Sequence, residues 1–232
     1  MSAPKHVGII MDGNRRFSKR LVQQPWKGHA WGSKKLEEVL RWCQEKGVAE
    51  LTVFALSTQN LNRPQNELDY LLDLFAQEAQ KLLARTDDLK EQGLRIQFIG
   101  RKELLPKQLQ ELMLSLEETT QNNEDYVVNI AVAYGGREEI VDAAKQLAQE
   151  VAAGSLEPEE ITEDIFAQKL YLPSEPDLII RTGGEQRTSN FLAWQSTYAE
   201  WVFVDALWPE FSKESFTQCL EAYSARERRF GK

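Results

Sequence analysis

Three short stretches hold most of the side chains that could bind or break a charged group. Asp12, Gly13, Asn14, Arg15 and Arg16 follow the apolar run HVGIIM. Ser57, Thr58, Gln59, Asn60, Asn62 and Arg63 follow LTVFAL, and Gly183, Gly184, Glu185, Arg187 and Ser189 follow LIIRT, whose own Arg181 joins them. The first set offers a carboxylate for a hard cation, a glycine that lets backbone approach a ligand, and two guanidinium groups. Magnesium takes few protein carboxylates when phosphate oxygens and waters complete its shell, so Asp12 beside a phosphate is chemically sufficient. The third set arranges Arg181, Arg187 and Ser189 around a Gly-Gly turn, where planar guanidinium groups and a hydroxyl can clamp a diphosphate. Each set alone also reads as ordinary structure, an Asp-Gly turn with solvated arginines or a loop stitched by surface ion pairs. Two arginine-bearing anion sites on one sheet edge are harder to dismiss than either alone.

Other phosphate and nucleophile devices are missing from the sequence. It has no Walker loop, no G-x-G-x-x-G after a strand and no G-x-S-x-G. Cys43 and Cys219 lie far apart, without metal or redox spacing, and read as buried thiols. Of the two histidines, His6 precedes a strand and reads as structural or exposed. His29, in KGHAWG, can donate to a phosphate from the start of a helix.

The elements that must position these groups are legible from periodicity. HVGIIM, LTVFAL, RIQFIG, VVNIAVA and LIIRT are apolar nearly throughout, as in strands covered on both faces. Helical stripes lie between most of them, which predicts an α/β fold with a central, mostly parallel sheet flanked by helices. Leu68, Leu71, Leu72, Phe75, Ala79, Leu82 and Leu83 make one stripe, with Asn62 and Pro64 at its start and Gly93 beyond its end. Leu109, Leu112, Met113 and Leu116 make a second; 136–154 and EEITEDIFAQKL make two more. In an open parallel sheet ligands settle outside the carboxyl ends of the strands, where all three polar sets fall.

The length of 232 residues and 42% hydrophobic content suit one domain spanning 1–232. No stretch approaches the roughly 18 uninterrupted apolar residues of a spanning helix, and the start lacks a secretory layout, so a cytoplasmic protein is expected. A net charge of −8 argues against nucleic acid as a partner.

HVGIIMDGNRRF, GHAWG, FALSTQNLNRP with Glu67, AYGGREEIV and DLIIRTGGEQRTSNFLAWQSTYAEWVFVDALWPEF resemble the signature blocks of the cis-prenyltransferases, in family order from about residue 5 to 231. The resemblance implies a hydrophobic tunnel and condensation of isopentenyl diphosphate onto an allylic prenyl diphosphate such as farnesyl diphosphate. Each step would make a Z double bond, for a polyprenyl diphosphate of the lipid glycan carrier type. It implies Mg2+ as cofactor. Asp12 would hold the metal and assist departure of the allylic diphosphate. Gly13, Asn14, Arg15 and Arg16 would cradle that diphosphate, with His29 nearby and Phe17 against the first prenyl units. Ser57, Thr58, Gln59, Asn60, Leu61 and Arg63 would form a segment over the substrates, Asn60 standing where proton removal is often assigned. Arg181, Arg187, Thr188 and Ser189 would bind isopentenyl diphosphate. Glu200 matches a second metal position that the family supplies from the partner subunit of a homodimer.

The sequence also departs from that pattern. Arg15 and Phe17 stand where Gly and Trp are common, and Pro25 where many members carry an arginine to the allylic diphosphate, a loss Arg15 or Lys27 could offset. Leu61 replaces a common Trp. Tyr126 is bulky for the deep end of the tunnel and favours short products, whereas a helix over 65–92 favours long ones. LAWQSTYAEWVFVDALWP is the candidate dimer face. RERRFG at the C-terminus reads as a solvated helix end or, less simply, as a cross-subunit contact with a diphosphate, and the lipid product implies transient contact with a membrane surface, although no strongly basic amphipathic helix marks one. The alternative function is a non-catalytic, prenyl-diphosphate-binding partner of a related synthase.

Overall fold

The computed structural model describes residues 3–225; the RERRFG stretch lies outside the described residues. Six strands form one sheet: β1 (His6–Ile10), β2 (Glu50–Phe54), β3 (Leu94–Ile99), β4 (Tyr126–Ala131), β5 (Leu178–Arg181) and β6 (Glu200–Phe203). Their spatial order is β3-β4-β2-β1-β5-β6, and every pairing is parallel. Side chains alternate across the sheet, so its apolar strands feed two clusters. Val7, Ile9, Leu178, Ile180, Ile96 and Val128 enter one; Ile10, Ile179, Ile99 and Ala131 enter the other. Burial on both faces explains the near-continuous apolar runs.

The helices are α1 (Asn14–Arg20), α2 (Gly28–Lys46), α3 (Gln65–Leu83), α4 (Thr86–Glu91), α5 (Lys107–Thr120), α6 (Gly136–Ala152), α7 (Glu163–Gln168) and α8 (Lys213–Ala225). Two expectations change. The 65–92 stretch is two helices, α3 and α4, because Arg85 leaves helical geometry at φ −122°, ψ 30°. The next residues, Thr86, Asp87 and Asp88, suit a new helix start better than a helix interior. The second correction concerns EWVF within the apolar 192–209 region. It is a sixth strand at the sheet edge, where Trp201 stacks on Phe203.

His6 proves structural: it is 4% exposed and its Nε2 lies 2.7 Å from Thr52 Oγ1. Cys43 and Cys219 are buried free thiols. Burial pushes the Cys43 thiol up to about 12, which leaves it un-ionised at neutral pH. No helix among the described residues is long and apolar enough to cross a membrane.

Candidate active site

The sheet order makes the three polar sets neighbours, because β2, β1 and β5 lie side by side. Ile10 pairs with Phe54 on one side and Arg181 on the other, so the segments leaving all three strands emerge at one edge. Chain order runs outward from β1 to β2 and later returns to β1's other side with β5. That reversal opens a crevice.

Asp12 sits at its centre. Its Oδ2 accepts from Arg181 Nη2 at 2.8 Å and its Oδ1 from Arg16 Nη2 at 3.3 Å. Its carbonyl accepts from Thr182 Oγ1 at 2.8 Å and from the Trp208 amide at 2.9 Å, which fixes the backbone. Gly13 makes the turn into α1 at φ 113°, and a Cβ there would lie 2.9 Å from the Leu207 Cα. Gly183, at φ 88°, lets the third loop pass against Asp12 and Arg16. Arg181 is 3% exposed and donates to Ser189 Oγ at 2.6 Å and to the Arg187 carbonyl.

Beneath this edge lies a cavity of about 750 Å³. Asp12, Asn14, His29, Ser57, Gln59, Asn60, Arg63, Arg181, Arg187 and Ser189 line its polar mouth. Its body is apolar. Leu94, Ile96 and Phe98 of β3 and Val128, Ile130 and Val132 of and just after β4 form its floor at the two-residue spacing of one sheet face. Leu36 and Leu40 of α2, Leu74, Phe75, Ala79 and Leu82 of α3, and Met113 and Leu116 of α5 supply its walls. The stripe that buries α3 is therefore also tunnel wall. Tyr126 pairs with Leu94 at the deep end and packs against the same apolar cluster.

Three buried polar atoms at the mouth have no hydrogen-bond partner among the described residues: Asn14 Oδ1, His29 Nε2 and Arg181 Nε. Orphaned buried groups are costly unless a ligand answers them. Burial pushes the His29 imidazole down to about 4, with Arg63 and Arg15 pushing the same way, so it is neutral at neutral pH. Glu67 is almost wholly buried, and its Oε1 lies 2.9 Å from Arg63 Nη1 and 3.4 Å from Arg15 Nε. One carboxylate thus holds two guanidinium groups beside the mouth.

Not every expected residue reaches the cavity. Gly13 acts through the turn, while Arg15 and Arg16 border the mouth through Glu67 and Asp12. Phe17 turns outward onto Trp31, 6.0 Å between ring centroids. Thr58 turns to Glu138 at 2.8 Å, Leu61 packs on the core, and Thr188 lines a separate surface hollow. Glu200 starts β6 opposite Leu178, whereas Arg181 pairs with Phe203. It is thus three residues, about 10 Å, down the sheet from the Asp12 edge.

Glu138 was not legible in the sequence. It accepts from Thr58, Gln59 and Asn190, tying the second polar set to the third. Burial works to raise its pKa, but the hydrogen bonds from Asn190 and Thr58 outweigh it and hold the carboxyl low. Its place in the first turn of a helix after Gly-Gly gave no hint of partners 52 to 80 residues away.

Among the described residues no cluster of three or more His, Cys, Asp or Glu could hold a metal alone. A single carboxylate flanked by arginines fits an ion that arrives with phosphate oxygens and water, as Mg2+ does.

Residues 10–231 match the family model described as "Putative undecaprenyl diphosphate synthase". The chain is 49% identical over 232 residues to the tritrans,polycis-undecaprenyl-diphosphate synthase (geranylgeranyl-diphosphate specific) of Pyrococcus horikoshii, covering 99% of this chain and 87% of that protein. It is 46% identical to the isoprenyl transferase of Thermus thermophilus, covering 99% and 89%. Its structure is similar to lavandulyl diphosphate synthase from Lavandula x intermedia in complex with dimethylallyl diphosphate, at a TM-score of 0.93, 36% identity and 99% coverage of both chains.

Proposed function

The chain belongs to the undecaprenyl diphosphate synthase family of cis-prenyltransferases, and on that premise we propose that it condenses isopentenyl diphosphate with an allylic prenyl diphosphate at the Asp12 edge, with Mg2+. The observation that carries the reading is the junction of Asp12 and Arg181, 2.8 Å apart, over an apolar cavity of about 750 Å³. A charged double diphosphate site above a greasy tunnel is what a growing prenyl diphosphate needs.

In this reading Arg181, Arg187 and Ser189 hold the diphosphate of isopentenyl diphosphate. The backbone and side chains of Gly13, Asn14 and Arg16, with His29, hold the allylic diphosphate. As the allylic carbon–oxygen bond breaks, charge grows on the departing diphosphate, and guanidinium groups already in place stabilise it without reorganising. The electron pair of the isopentenyl double bond forms the new carbon–carbon bond, and the proton then lost passes to a nearby acceptor such as the Asn60 amide or the released diphosphate. The apolar walls exclude water from the cation-like fragment. Asp12 would hold Mg2+, with Glu200 of a partner subunit in a homodimer; the ion supplies Lewis-acid charge to the diphosphate oxygens when bound.

Farnesyl diphosphate is the primer expected from the sequence. The geranylgeranyl-diphosphate specificity carried in the name of the Pyrococcus horikoshii relative supports that longer primer instead. The product would serve as a lipid carrier for glycans. The test is to incubate the protein with isopentenyl diphosphate and either primer, with and without Mg2+. Metal-dependent elongation is expected; tight binding of primer without elongation would show a non-catalytic subunit.

A further inference from the structure

In a chain of net charge −8, residues 13–36 carry seven basic side chains and no acidic one. Arg15, Arg16, Arg20 and Lys35 are answered by Glu67, by Asp12 and Glu185, by Glu210 and by Glu38. Lys19, Lys27 and Lys34 are exposed and have no ion pair among the described residues. The same corner presents a connected apolar strip. Trp31 of α2, 48% exposed, meets Phe17 of α1 edge to face, and Leu21 lies one helical turn beyond Phe17. Val22 follows, 95% exposed.

Val22 is unusual in its backbone as well. It adopts φ 54°, a left-handed conformation that β-branched residues rarely take. The loop is held there: the Val22 amide donates to the Lys19 carbonyl, the Gln23 amide to the Ser18 carbonyl, and Ser18 Oγ to the Gln24 carbonyl at 2.6 Å. A rigid tip therefore pushes a bare isopropyl group into solvent.

We propose that this α1–α2 corner docks on an anionic lipid bilayer. Leu21, Val22 and Trp31 enter the interface, and Lys19 and Lys34 face the headgroups. Charge complementarity selects the partner: uncompensated lysines beside an exposed tryptophan and a protruding aliphatic tip match a negatively charged interface. Asn14, His29, Gly32 and Ser33 from the same two helices line the cavity mouth, so docking turns the mouth towards the bilayer. A search for one basic amphipathic helix misses this surface, because two helices and a turn share it. That the mouth delivers a polyprenyl chain to lipid rests on the prenyltransferase reading; binding to vesicles does not.

The test is co-sedimentation with vesicles of phosphatidylcholine alone or mixed equally with phosphatidylglycerol. Binding is expected only to the mixture and should weaken as salt rises. Lys19→Glu should lower the partition coefficient about fivefold or more, from roughly 1 kcal/mol per basic residue at an anionic leaflet. Leu21→Ser with Val22→Ser should lower it about tenfold or more. Both variants should elongate prenyl diphosphates normally in detergent. Lys90→Glu with Lys107→Glu, elsewhere on the surface, changes net charge more and should leave binding intact. Equal loss in that control, or no binding of the parent protein to the mixture at low salt, overturns the proposal, the latter leaving the corner to a protein partner. Vesicle binding without elongation would instead remove the enzymatic reading and keep the docking surface.

Discussion

His29 should be neutral in the free protein and become protonated more readily when a diphosphate arrives. Burial lowers its pKa from the ordinary 6.5 to about 4, assisted by Arg63 and Arg15, and its Nε2 has no hydrogen-bond partner among the described residues. The unfolded chain takes up a proton on this imidazole below about pH 6.5, the folded chain only below about pH 4. Above pH 6.5 both states are neutral and the group contributes nothing. As pH falls from 6.5 to 4 the unfolded state binds more protons, so stability falls by about 3 kcal/mol in total. His6 is also held low, by burial, and would add a loss of the same sign. The difference between the wild type and His29→Gln isolates His29: the variant should lack this part of the acid loss. The chain has two histidines, so two C2–H proton resonances suffice to follow both, with the variant assigning them. Inorganic pyrophosphate should raise the His29 midpoint by about one pH unit or more, since an adjacent anion favours the charged ring. A midpoint of about 6 or above in the free protein would refute the burial argument, and no movement with pyrophosphate would refute the placement of the allylic diphosphate.

Arg15→Gly should weaken binding of an allylic thiodiphosphate about tenfold, the discounted loss of one half-exposed charge-assisted contact, and Lys27→Ala should weaken it less. Calorimetric titration showing neither effect would leave the arginine absent at Pro25 without a replacement. Gly13→Ala should cost about 2 kcal/mol or more, because it meets both a positive φ and the Leu207 backbone 2.9 Å away, read as a lower melting temperature and a large loss of turnover. Tyr126→Ala should lengthen the product if the ring beside Leu94 closes the tunnel; an unchanged chain-length distribution on thin-layer chromatography would move the floor elsewhere.

The strands were legible because burial on both faces leaves one kind of sequence, the near-continuous apolar run, and HVGIIM, LTVFAL, RIQFIG, VVNIAVA and LIIRT hold β1 to β5 in that order. β6 was not, since Glu200, Trp201 and Val202 at an edge are only partly buried, Phe203 is exposed, and all four read equally well as interface. The break at Arg85 was hidden by an apolar stripe that continues in register on either side of it. At the candidate site, strand-end chemistry singled out Asp12, Asn14, Arg181 and Ser189, which the fold brings to one cavity mouth, because polar groups at the ends of buried strands have few other reasons to cluster. The partnership of Glu67 with Arg15 and of Glu138 with Thr58 and Asn190 depends on how distant segments pack, which local pattern does not encode.

Glu200 supplies the sharpest test of assembly. β5 and β6 are in parallel register, with Leu178 beside Glu200 and Arg181 beside Phe203, so within one chain this carboxylate begins about 10 Å down the sheet from the edge where Asp12 meets Arg181. If it serves the metal, a second chain must carry it there. Asp12→Asn and Glu200→Gln should then each be nearly inactive alone. Co-refolding the two in equal amounts makes about half the dimers mixed, and a two-fold interface gives each mixed dimer one site with both changes and one with neither. Activity should recover to about a quarter of the wild type. If Glu200 acted within its own chain, every site would keep one defect and mixing would recover nothing.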